Sequence, residues 1–178
     1  MQLTAHNTTN AFIDACNDVY TWGGINDHGK AVIKEMNDLG MVINVAHGSN
    51  DAIIQSVAAS RHPVIYSHGG FHKIVDHPRC LTDEAAKAIA AKGGVIGIHF
   101  GSLFNNPKYW EWQKPNIAIK SQPDPQPATP RIFNSQTTAQ TIEDVDKELL
   151  KEVPLNFRGT IPDEYWMHVD QLAKVIDY

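Results

Sequence analysis

The feature that most constrains this chain is a repeated unit: a short apolar run ending in a polar residue, then a capped helical stretch, then glycine. Met41-Val-Ile-Asn-Val-Ala-His47, Pro63-Val-Ile-Tyr-Ser-His68 and Val95-Ile-Gly-Ile-His-Phe100 read as buried strands, and Met1-Gln-Leu-Thr-Ala-His6 reads as the first of the series. Between them the spacing predicts helices over about 28–39, 50–60 and 83–92. Val32, Ile33, Met36 and Leu39 share one side of the first helix, and Gly40 stops it. Ser49 and Thr82 serve as N-caps of the next two. Strand, helix, strand at this spacing implies parallel strands joined by right-handed crossovers. Near-continuous apolar strands imply that both faces are covered. The expected class is α/β, either a (β/α) barrel or a doubly wound sheet. No G-x-G-x-x-G follows any strand, which leaves a nucleotide-type doubly wound sheet with little support.

The remaining stretches read differently. Residues 7–27 are a polar, Asn/Gly-rich connection. A Pro-rich insertion at about 113–135 reads as a loop or extended arm, placed where barrel enzymes carry active-site lids. Helices are expected at about 138–152 and after Pro162, the second with Trp166, Val169, Leu172, Ala173 and Ile176 on one face. The 178 residues read as one domain, 1–178. A formal net charge of −5 without a Lys/Arg-rich run argues against nucleic acid or an anionic membrane surface as partner. No apolar stretch reaches the roughly 20 residues that span a bilayer. The start lacks the basic and apolar regions of a signal peptide, so the compartment stays open. Cys16 and Cys80 have no partner at metal-ligand spacing and read as ordinary thiols.

Nine histidines are many for this length, which raises metal or acid–base chemistry. His6, His47 and His68 each end a strand. In a parallel barrel the strand C-termini converge on the catalytic face, so these rings can share one pocket. Neutral imidazole is a common ligand of zinc-like metals, and rigid strand ends hold it well. One strand-end histidine would read as structural; three in register favour function. His99 stands one residue before its strand's end, facing either the helical layer or the barrel, and is not counted with them. His28, His62, His72, His77 and His168 fall in loops or helices and read as solvated. On its own, Arg79 reads as a surface arginine in a polar loop.

Leu3-Thr-Ala-His-Asn7, Leu39-Gly-Met-Val-Ile-Asn-Val-Ala-His-Gly-Ser49, Pro63-Val-Ile-Tyr-Ser-His-Gly-Gly70 and Arg79, in this order and spacing, resemble the renal (membrane) dipeptidase family. The resemblance runs through most of residues 1–105, and residues 160–178 resemble the helix before that family's last strand. It implies a TIM-type (β/α)8 barrel with two zinc ions that hydrolyses dipeptides. This chain would supply about strands 4 to 7 with their helices. The resemblance further implies that His47 and His68 hold the second zinc. His6 would contact substrate beside the scissile carbonyl, and Arg79 would receive the substrate carboxylate. The chemistry suits these roles: guanidinium forks onto a carboxylate, and a histidine donor can stabilise a tetrahedral oxyanion. A dipeptide is the expected partner, with a homodimer as a further expectation for the complete protein.

The His-x-Asp on the family's first strand that holds the first zinc, the later bridging Glu and the Gly-rich Asp-Phe-Asp-Gly run of its last strand are not expected within this stretch of about strands 4 to 7. Two histidines fall short of the three protein ligands that catalytic zinc takes. The expectation is therefore the central portion of a zinc-dependent dipeptidase, inactive as an isolated polypeptide. Two alternatives stay open. One is another metal-dependent amidohydrolase-type barrel; the other is a non-catalytic half-barrel that binds metal weakly or pairs with another chain.

Overall fold

The computed structural model describes residues 6–116. Residues 1–5 of the first expected strand, most of the Pro-rich insertion, and the helices expected at 138–152 and after Pro162 lie outside them.

Three amphipathic helices form where the spacing places them. Helix α1 spans Asp27–Asp38; Asn26 caps it by accepting from the Gly29 amide. Ile33 and Met36 are buried on its inner side, and Gly40, at φ 68°, takes the left-handed turn that ends it. Helix α2, Asn50–Ala59, is capped by Ser49, whose hydroxyl accepts from the Ala52 amide. Helix α3, Asp83–Ala91, is capped by Thr82 through the Ala85 amide, and Gly93 turns left-handed at φ 73° beyond it. Each such cap stabilises its helix by about 1 kcal/mol.

Strand β1 covers Ile65–Gly69 and β2 covers Val95–Ile98, on either side of α3. They pair in parallel, Ile65 with Val95 and Tyr66 with Ile96; the register then shifts before Gly69 meets Ile98. The strand expected at 41–47 runs parallel to β1 on its other side, but with a single bridge, Asn44 to Ile65. Two ladder bonds form there, Val45 N to Ile65 O at 2.8 Å and Ile65 N to Ile43 O at 2.9 Å. Beyond them the side chain of Asn44 replaces the ladder. Its Oδ1 accepts from the amides of Ala46 and Ser67. The sheet order therefore follows chain order, with helices as crossovers, as the sequence predicts. The core joins helix residues Ile33, Ile53 and Ile89 to Ile43, Val45, Val64 and Tyr66 of the parallel segments, all buried. A fully buried side chain of this kind contributes about 1.5–3 kcal/mol.

Two stretches depart from expectation. Residues 7–26 are not simply a polar connection: Ile13, Asp14, Ala15 and Cys16 are buried, and Ile13 and Ala15 bridge to Ile25 and Gly48. The cause is one carboxylate. Asp14, 0% exposed, accepts from the amides of Thr21 at 2.7 Å, Trp22 at 3.0 Å and Gly24 at 2.8 Å. That satisfies a charge in the interior and closes the loop around it. After β2 come two short helices, α4 at Ser102–Asn105 and α5 at Pro107–Gln113, and then a 3-10 turn at Lys114–Asn116. Asn106 caps α5 through the amides of Lys108 and Tyr109, with Pro107 in the first turn. Asn-Pro is a start signal visible in the sequence. α5 buries Trp110 against Val75 and Cys80 in a second, smaller core.

Candidate functional site

The imidazoles of His6, His47, His68 and His99 stand in one row. The His6 and His47 ring centroids are 4.3 Å apart, those of His47 and His68 4.9 Å, and those of His68 and His99 6.1 Å. The order along the row is the order along the chain. His6 is exposed at one end, while His47 is 8% exposed.

His47 sits at φ 72°, a left-handed conformation that a non-glycine residue adopts at a cost of about 1 kcal/mol or more. The Cys16 amide holds it there by donating to its carbonyl at 2.9 Å. This turn brings His47 Nε2 to 2.9 Å from His68 Nε2. Its Nδ1 is buried without a hydrogen-bond partner among the described residues. A proton on Nδ1 leaves the Nε2 lone pair directed at His68, the tautomer a metal ligand needs. Two nitrogens bound to one zinc at about 2.0–2.1 Å and the tetrahedral angle lie about 3.3 Å apart. The observed separation falls a few tenths of an ångström short of that, so the pair fits two positions of a metal site. Among the described residues no group of three or more His, Cys, Asp or Glu surrounds a common point.

Burial and a nearby cation favour the neutral form of His47, His68 and His99, the form a metal ligand takes. Burial, followed by the Arg79 guanidinium, pushes His47 down to about 3. The same two causes, in the same order, lower His68 and His99.

Arg79 is 3% exposed, so it is not the surface arginine that its sequence context suggests. Nη1 donates to the Tyr66 hydroxyl at 2.6 Å and Nη2 to the His68 carbonyl at 2.8 Å. Its guanidinium lies 5.3 Å from the Tyr66 ring centre and 6.0 Å from that of Phe104, within cation–π range. No carboxylate among the described residues forms an ion pair with it. Gly69 makes the contact with Tyr66 feasible, since a Cβ there would collide with the Tyr66 hydroxyl.

His77 departs from its solvated reading. It is 2% exposed, lies edge-on to Phe104 and Trp110, and its Nδ1 accepts from the Arg79 amide at 2.9 Å. Burial first, then Arg79, push it down to about 4. His77 and Trp110 thus support the turn that carries Arg79, a role no spacing pattern signals. His28, His62 and His72 are exposed as expected, and His168 lies outside the described residues. His99 ends the row with Nδ1 accepting from the Gly101 amide at 2.7 Å. Cys16 and Cys80 are buried free thiols, raised by burial to about 11 and about 12. No helix among the described residues is long and apolar enough to cross a membrane.

Several known proteins are similar to this chain. An uncharacterized dipeptidase of Schizosaccharomyces pombe is 32% identical over 104 residues, 58% of this chain and 25% of that protein. The dipeptidase VerJ of Clonostachys rogersoniana is 33% identical over 96 residues, 53% of this chain and 25% of that protein. The chain thus spans about a quarter of the length of these curated relatives. Among solved structures, an amidohydrolase from Pseudomonas aeruginosa superposes with a TM-score of 0.55 at 29% identity, over 61% of this chain and 32% of that one. The probable dipeptidase PvdM of the same organism shares the fold, with a TM-score of 0.62 at 24% identity over 98% of this chain and 45% of that one. The model of the membrane dipeptidases, peptidase family M19, matches residues 1–178, and the chain belongs to that family.

Proposed function

We propose that the complete protein carrying this chain is a zinc-dependent dipeptidase, a (β/α)8 barrel of which residues 1–178 form about strands 4 to 7. In this reading His47 and His68 hold one of two zinc ions. His6 meets the substrate beside the scissile carbonyl, and Arg79 binds its terminal carboxylate. The observation that carries the reading is Arg79 itself. A buried cation without an ion-pair partner among the described residues costs several kcal/mol of desolvation unless an anion arrives. The free C-terminus of a short peptide is such an anion, and it would dock against the histidine row.

Each side chain then has a task. Arg79 has five N–H donors; the bonds to Tyr66 and His68 use two and leave others for a carboxylate. The Tyr66 hydroxyl and the His68 carbonyl hold the guanidinium in place and His77 holds the Arg79 backbone amide, which lowers the ordering cost at binding. His6, beside His47, donates toward the oxygen on which negative charge develops. A metal held by His47 and His68, when bound, polarises a carbonyl and acidifies water at neutral pH. With two such ligands short of the usual three, the 178 residues alone would bind metal weakly and turn over no dipeptide.

The second reading, a metal-dependent amidohydrolase with a different substrate, is favoured by the likeness to the Pseudomonas amidohydrolase. A dipeptide and its C-terminal amide separate the two. The dipeptidase reading expects zinc-dependent hydrolysis of the free acid, sharply reduced for the amide, and abolished by His47→Ala or His68→Ala. Equal turnover of acid and amide would favour the second reading, and normal turnover in either variant would remove the ligand assignment.

A further inference from the structure

Asn44 and Ser67 form a polar clip behind His68 that the metal reading leaves unexplained. Asn44 Nδ2 donates to Ser67 Oγ at 2.8 Å, and Asn44 Oδ1 accepts from the Ser67 amide at 3.3 Å. The same Oδ1 accepts from the Ala46 amide at 3.1 Å, so the amide ties its own segment to β1. Ser67 Oγ in turn lies 2.8 Å from His68 Nδ1, on the ring's far side from His47.

A hydroxyl oxygen accepts two hydrogen bonds. One position on Ser67 is filled by Asn44, whose Nδ2 can only donate; the other faces His68 Nδ1. An imidazole that gives its Nε2 lone pair to a cation must carry its proton on Nδ1, and that proton needs an acceptor. Ser67 Oγ is in place to receive it. Backbone geometry adds to the argument. The register of β1 against β2 shifts between Tyr66 and Gly69, so this stretch lacks the regular ladder that would otherwise fix the direction of His68.

We propose that Asn44 and Ser67 are positioning residues: they orient the His68 ring and accept its Nδ1 proton, so that Nε2 is presented to a divalent cation beside His47. The inference rests on the metal reading above, and its test separates the two. The readouts are long-range proton–nitrogen spectra and zinc titration of the 178-residue chain, at about pH 8, above the ordinary imidazole range. Because Ser67 is exposed, Ser67→Ala is expected to leave the fold intact, which the amide spectrum of the variant checks.

In the metal-free chain, Ser67→Ala is expected to move the His68 Nδ1 resonance toward that of exposed His62. It is also expected to weaken zinc binding by about 10–100-fold, the range for loss of a hydrogen bond to a ligating histidine. Ser67→Thr, which keeps the hydroxyl, should restore both; Asn44→Ala should reproduce the loss in weaker form. An unchanged His68 resonance and equal zinc affinity in Ser67→Ala would overturn the positioning role while leaving the metal pair standing. A shifted resonance in a chain that binds no zinc even as wild type would support the orienting role and show that His47 and His68 do not hold the ion without the ligands of the complete protein.

Discussion

Two regions of this molecule reach order by different means. From Asp27 to Gly69 and again from Asp83 to Ile98 the chain alternates helix and parallel segment, and apolar side chains on regular faces supply the core. The loops at 7–26 and 70–81 have no such period, yet they contain some of the most buried groups: Asp14, His77 and Arg79. Here a few polar side chains organise the backbone. Asp14 gathers three amides, His77 Nδ1 takes the Arg79 amide, and the Tyr66 hydroxyl donates to the Arg79 carbonyl at 2.7 Å. Periodic faces carry the scaffold, and the loops hold the buried charged groups.

That contrast can be broken by mutation. The largest effect is expected from Asp14→Ala, which strips a charged acceptor from buried amides and should lower the unfolding free energy by about 3–5 kcal/mol. A urea-unfolding shift below about 1 kcal/mol would mean that apolar contacts alone hold this loop. Arg79→Ala should act on function instead. In the complete protein KM for dipeptides should rise about 10–100-fold, the loss of a charged hydrogen-bonded pair. An unchanged KM would leave Arg79 as a structural cation only. Thr82→Ala, on the periodic side, should cost about 1 kcal/mol through the lost cap of α3 without changing KM. If it matched Asp14→Ala in size, the division between the two regions would collapse.

Much of the scaffold was legible because its signals are local. Ser49 and Thr82 cap where expected, and Gly40 stops α1 because only its left-handed turn lets the chain leave the helix there. The segment at 41–47 was recognisable by its apolar run, but its reduction to one bridge depends on Asn44 reaching Ser67 across the sheet. α5 was not among the expected helices, although Asn106-Pro107 announces it. At the site, strand-end positions suffice to nominate His6, His47 and His68. Their spacing says nothing of the left-handed turn at His47 or of the 2.9 Å approach to His68.

The sequence by itself determined the alternation of elements, their caps and stops, and the presence of histidines at the ends of successive parallel segments. Each of those depends on residues within a turn or two of one another. Tertiary structure alone decided that Arg79 is buried, that His77 supports it from within a loop, and that four imidazoles form a row. Burial and close approach join residues distant in the chain, and the hydrogen-bond partners that make a buried charge tolerable are chosen only when the segments meet.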